Sequence, residues 1–302
     1  MVQAIDIHVH PSTEETTAAW GHLKEATERY FRTEIAERSV DEMADEMRAD
    51  DVLAVLLAWD AETASGLPPV TNDFIASCVT RHPDAFLGFA SVDPWKGKAA
   101  VQELRRAVTD LGLRGVKLHP SAQCFAMNDR RFYDLWATAA ELGVPLLVHT
   151  GTTGLGAGLR GGGGVKLRYS DPMLLDDVAA DFPELTIIGA HPSWPWQASM
   201  LAIAQHKANV WIDLSGWSPR LWPDELVAAV LGPLQDRCLF GTDYPFITFA
   251  KWRRAFAAHE PSDEVAEKIL RGNAARLLGL SLKGPASPGP SRHGGDEGPE
   301  ES

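Results

Sequence analysis

The chain has 302 residues, 45% of them hydrophobic, and a formal net charge of −13. That is enough apolar material for a sizeable core in one large domain or two ordinary ones. The charge argues against nucleic acid and anionic membrane as partners. Three widely spaced cysteines, none in a Cys-x-x-Cys pair, suit a reducing cytoplasm and argue against a thiolate zinc site. No basic segment followed by an apolar run marks the N-terminus as a signal peptide. No apolar stretch reaches the ~20 residues that span a bilayer. A cytoplasmic protein without membrane contact is expected.

The first strand is predicted at 4–11, in Ala4-Ile5-Asp6-Ile7-His8-Val9-His10-Pro11. Alternation puts Asp6, His8 and His10 on one face and Ile5, Ile7 and Val9 on the other. Residues 11–38, with Trp20, Tyr30 and Phe31, are long for a strand–helix connection and read as an insertion. Ser39-Val40-Asp41-Glu42 carries a capping box and starts a helix to about 50. Continuous apolar runs then mark buried strands at 52–59, 85–92, 115–120, 145–150, 185–191, 210–215 and 238–243. Helices are predicted near 71–82, 97–111, 129–142, from 171, 195–207, 223–231, 249–258 and 262–279.

Eight apolar strands alternating with helices predict a single (β/α)8 TIM barrel. An open doubly wound sheet would show a Gly-rich turn after strand one, where this chain has His-Val-His-Pro. The barrel is assigned to residues 1–282. Residues 283–302 are rich in Pro, Gly, Ser and acidic residues and are expected to form a disordered tail.

Barrel enzymes place their chemistry at the C-terminal strand ends. In order, those ends offer His8 and His10, Lys117 and His119, His149, His191 and Asp243. A single strand-end histidine is usually structural, but five of the ten histidines, joined by one aspartate, point to a metal site. Imidazoles with one carboxylate suit Zn²⁺, with Mn²⁺ and Fe²⁺ as alternatives, and do not suit Mg²⁺ or Ca²⁺. A catalytic metal would leave one position for water or substrate.

These residues resemble the pattern of the amidohydrolase superfamily: Asp6-Ile7-His8-Val9-His10, Gly189-Ala190-His191-Pro192 and Gly241-Thr242-Asp243-Tyr244-Pro245. The likeness is to the branch typified by aminocarboxymuconate-semialdehyde decarboxylase, over about residues 4–280. The stretch 190–196 also resembles bacterial 4-hydroxyphenyl-β-ketoacyl-CoA hydrolases. The resemblance implies His8, His10, His149 and Asp243 as ligands of one metal, with His191 activating its water. It leaves Lys117 as either a carboxylated bridging lysine or, the reading preferred here, a salt-bridged structural one. His119 is open between a substrate contact and support of the site. Related enzymes are often dimers.

On the substrate side, Trp59, Trp95, Trp194, Trp196 and Trp217 follow strands and would ring the barrel mouth, able to flank a flat substrate. The glycine-rich loop 151–168 reads as a lid that brings Arg160, Lys166 and Arg168 beside the metal. That suggests an anionic substrate. The function expected first is metal-dependent hydrolysis of a small carboxylated or acyl aromatic compound, including an aryl β-ketoacyl-CoA. Non-oxidative decarboxylation of an aromatic or muconate-type acid is the alternative. A non-catalytic metal- or ligand-binding barrel is the alternative of another class.

Overall fold

The computed structural model describes residues 2–281. The expected boundary at 282 and the tail 283–302 lie outside the described residues. Eight strands follow in chain order: β1 (Ala4–Val9), β2 (Val52–Leu57), β3 (Phe86–Phe89), β4 (Val116–Leu118), β5 (Leu146–His149), β6 (Ile187–Ala190), β7 (Val210–Asp213) and β8 (Cys238–Leu239). Sequential neighbours pair in parallel as β1-β2-β3 and β4-β5-β6-β7-β8. Isolated parallel bridges, Ala90 with Val116 and Val9 with Tyr244, join the two arcs into the expected (β/α)8 barrel. No helix among the described residues is long and apolar enough to cross a membrane.

Every strand is shorter than its apolar run, because pairing stops where the chain turns over the mouth while apolar residues continue. His10, His119 and His191 therefore sit just beyond strands rather than in them. The helix predicted from Ser39 forms at Val40–Ala49, with Ser39 Oγ accepting from Glu42 N and Ser39 N donating to the Glu42 carboxylate at 2.8 Å. The insertion folds into two helices, Glu14–Trp20 and Lys24–Phe31. The helix expected over 262–279 is interrupted by a π-helical turn, Lys268–Gly272. That turn leaves the Ile269 carbonyl free to accept from Phe240 N at 3.0 Å, tying the end of the chain to β8.

One expectation about β1 fails. The register with β2 shifts between Asp6 and Val9. Ile5 and Ile7 join Leu147, Ile188 and Leu239 in the inner apolar cluster, whereas Val9 packs in the outer layer against the helices. Strict alternation would have put Ile5, Ile7 and Val9 together. The irregularity re-aims His8 to the same interior as its neighbour Ile7, and such bulges recur beside active sites. Asp6 turns instead to the segment after β8, accepting from Thr242 N at 3.0 Å, and accepts from His8 N at 3.1 Å as well.

Candidate active site

The mouth of the barrel opens on a cavity lined by His8, His10, Lys117, His119, His149, His191 and Asp243. These seven predicted residues come from β1, β4, β5, β6 and β8 or the residues that follow them, and all are buried. His8, His10 and Asp243 bring their donor atoms within 4.8 Å of one another. The Asp243 Oδ1 lies 3.4 Å from His8 Nε2 and 3.5 Å from His10 Nε2. Two donors bound at about 2.05 Å to one tetrahedral ion lie ~3.3 Å apart, so the spacing suits a shared cation. His149 stands outside that triplet, and its Nε2 is buried without a hydrogen-bond partner.

A proton network explains which nitrogens remain free. The Asp213 carboxylate accepts from His8 Nδ1 at 2.6 Å and from Ser215 Oγ at 2.7 Å. Ser215 Oγ, its proton committed, accepts from His191 Nδ1 at 3.0 Å. His191 Nε2 is then unprotonated and accepts from His149 Nδ1 at 3.0 Å. Each tautomer follows from the one before it: the lone pair of His149 Nε2 is left without a partner, and that of His8 Nε2 faces Lys117 Nζ at 3.0 Å. Neither Asp213 nor Ser215 was among the predicted site residues. The signal was present: both are polar and stand two apart where an apolar strand ends.

Burial holds the imidazoles of His8, His10, His119 and His149 well below their ordinary pKa and that of His191 down to about 4. They are neutral at pH 7, the state that ligates metal. Burial raises the Asp243 carboxyl, and the Lys117 ammonium beside it works against that rise. The backbone is left-handed at His191 (φ 73°) and Asp243 (φ 60°), a costly conformation for residues with side chains, found where function holds it.

Lys117 differs from the preferred expectation. It is buried, its Nζ meets His8 Nε2 at 3.0 Å, and it takes part in no ion pair among the described residues. It reaches the imidazole because β4 points it inward at the level of His8. His119 stacks flat on His149, ring centres 3.8 Å apart, and lines the cavity as well, so it both braces the site and faces its contents.

Trp59 and Trp217 line the cavity as expected, and the insertion adds Trp20, Tyr30 and Phe31. Trp20 and Phe31 each stack on Phe246. Trp194 does not reach the cavity. It is 48% exposed and packs beside Trp217 in a neighbouring surface groove. Trp95, also half exposed, donates its ring N–H to Gln123 O. The basic loop is a second correction. Only its first part turns inward, pinned by Thr152 N to Trp194 O at 2.7 Å, so that Thr152, Thr153, Gly154 and Leu155 line the cavity. The turns Arg160–Gly164 and Leu167–Ser170 then carry Arg160, Lys166 and Arg168 into solvent, Arg168 over the Tyr169 ring. Charged side chains on a loop's outer turns keep their hydration, which burial beside the cavity would remove. Lys117 is the cation that remains inside.

Comparison with known proteins agrees with this geometry. A family model described as Amidohydrolase matches residues 5–280. The gamma-resorcylate decarboxylase of Rhizobium radiobacter is 28% identical over 270 residues, covering 75% of this chain and 80% of that protein. The 2-amino-3-carboxymuconate-6-semialdehyde decarboxylase of Dictyostelium discoideum is 24% identical over 250 residues, covering 72% of this chain and 68% of that protein. Among solved structures, an uncharacterized TIM-barrel protein of Bordetella bronchiseptica superposes with a TM-score of 0.76 at 27% identity, covering 91% of this chain and 98% of its own. Both relatives with a named activity are decarboxylases, which favours the decarboxylase alternative over the hydrolase placed first.

Proposed function

The chain belongs to the amidohydrolase family, and from that footing we propose that it is a metal-dependent decarboxylase of a small aromatic or muconate-type acid. The observation that carries this reading is the convergence of His8, His10 and Asp243 at the floor of an aromatic-walled cavity. The relatives' decarboxylase activity supports the reaction type.

His8 Nε2, His10 Nε2, His149 Nε2 and the Asp243 carboxylate would hold one divalent ion, with Zn²⁺, Mn²⁺ and Fe²⁺ all compatible with those donors. When bound, such an ion supplies Lewis acidity and a fixed anchor for the acid's oxygen atoms. Asp213 keeps the proton on His8 Nδ1 and so keeps Nε2 available. Trp59 and Trp217 flank a flat ring and shed water from it. In the reaction the bond to the carboxylate breaks, its electron pair stays on the ring carbon, a proton fills that position and CO₂ leaves. His191 enters neutral with Nε2 unprotonated, so once that atom is free of His149 Nδ1 it first takes a proton from solvent and then passes it to the ring carbon.

Incubation with γ-resorcylate and with related ring-hydroxylated and muconate-type acids in D₂O tests the reading. One CO₂ and one deuterated product per turnover are expected. Hydrolysis of an ester or β-ketoacyl thioester, with no CO₂ from any acid, would replace it. Asp213→Asn should weaken metal binding about 10–100-fold, measured by competition with a chromophoric chelator. Unchanged affinity would separate Asp213 from the orientation of His8.

A further inference from the structure

A second cavity adjoins the first. It has a volume of about 130 Å³ and lies beside the short helix Glu62–Ser65 and the turn Pro120–Gln123. Trp20, Trp59 and Leu155 line both cavities. The partition is therefore made of three side chains, one from the end of the helix Glu14–Trp20 and two from the segments after β2 and β5, not of strand backbone. Two of them are fixed. Trp59 exchanges backbone hydrogen bonds with Val70 at 3.0 and 2.8 Å, and Trp20 stacks on Phe246. Leu155 is the third, an aliphatic side chain set between Gly154 and Gly156. It is the one side chain of the three that is not aromatic, and its rotamers are free of ring stacking.

The chemistry of this space is distinctive. Leu23, Ala61, Leu67 and Val165 give it an apolar wall, and no Asp, Glu, Lys or Arg lines it. In this it differs from the groove of Lys98, Arg105 and Glu141 and resembles that of Trp194 and Trp217, which also carries no charged side chain. The Trp20 indole N–H is buried and lacks an acceptor. A single-ring acid anchored at His8, His10 and Asp243 would fill only the first cavity.

We propose that the second cavity is a substrate subsite: the acid carries an uncharged, mainly apolar substituent that passes Leu155 and lies between Trp20, Trp59 and Cys124. This assignment rests on the decarboxylase reading for its acid head, and makes the preferred substrate longer than a bare dihydroxybenzoate.

Cys124 reports on the subsite, because it lines the cavity and is half-buried while Cys78 and Cys238 are buried. The rate of Cys124 alkylation by a small maleimide is measured on the metal-loaded protein with γ-resorcylate and with its 3- and 4-hexyl homologues. The bare acid should leave the rate within about twofold, and one homologue should slow it at least tenfold. The same homologue should gain in kcat/KM, up to about fourfold per buried CH₂. Ala64→Phe, at an exposed position lining the second cavity, should abolish that gain while leaving turnover of the bare acid within about threefold. Failure of both homologues to protect Cys124 overturns the subsite, whatever the turnover. Protection without CO₂ release from any acid would retain the subsite and overturn the decarboxylase reading instead.

Discussion

Asp243→Asn should lower turnover by at least ~10³-fold, or about 4 kcal/mol of transition-state stabilisation, without unfolding the barrel. The amide keeps the shape of the side chain and its place after β8. It removes the one anionic donor of the His8–His10–Asp243 triplet, whose oxygen faces both imidazoles at 3.4 and 3.5 Å. Burial already disfavours the Asp243 charge, so the metal-free variant should melt no lower than the metal-free wild type. The two proteins should part only when metal is added, since an ion that binds the folded state alone raises the melting temperature by mass action. Thermal scans with and without metal, paired with CO₂ assays, check both halves. A variant that retains turnover, or that fails to fold, would remove Asp243 from the assigned role.

Gly241→Ala should be the most damaging single methyl group in the site. A Cβ at position 241 would lie 2.3 Å from Asp213 Oδ1, 2.9 Å from Ser215 Cβ and 3.2 Å from His8 Cβ. It strikes the oxygen that accepts from Ser215 N at 3.0 Å, on the carboxylate whose other oxygen receives the protons of His8 and the Ser215 hydroxyl. The neighbours belong to two strand ends, those of β7 and β1, packed at native density, so no single rotamer change clears the space. Overpacking of this kind costs about 1–3 kcal/mol. With the Asp213 carboxylate displaced, His8 loses its orienting partner. Metal content and turnover should therefore fall together, turnover by at least ~10²-fold, with a loss in melting temperature of a few degrees. Elemental analysis and calorimetry of the one variant check this. Normal metal content with a lowered melting point would show that Gly241 serves packing alone.

The barrel was legible in the sequence because its signals are local. Each buried parallel strand is a continuous apolar run, and Ser39 with Glu42 writes a helix start into four residues. The strand-end histidines were legible for the same reason: barrel geometry makes position after a strand equivalent to position at the mouth. What was not legible depends on relations between distant segments. The register shift of β1 that turns His8 inward comes from pairing with β2, and alternation along β1 cannot reveal it. Asp213 and Ser215 acquire their roles only when β7 is set against β1. The basic loop misled because charge counts along the chain do not say which part of a loop turns inward. Arg160 and Arg168 ride on outer turns, while the uncharged Thr152 and Leu155 face the cavity. Trp194 misled similarly, since its place after β6 is shared with inward residues but its side chain lies outside, against Trp217.

The metal content of the gently purified protein, measured by elemental analysis per chain, tests the assignment of His8, His10, His149 and Asp243 most directly. About one equivalent of a divalent transition metal, lost on dialysis against a chelator together with CO₂ release and regained with it, is the expected result. Less than about 0.2 equivalents in a protein that still turns over would contradict it.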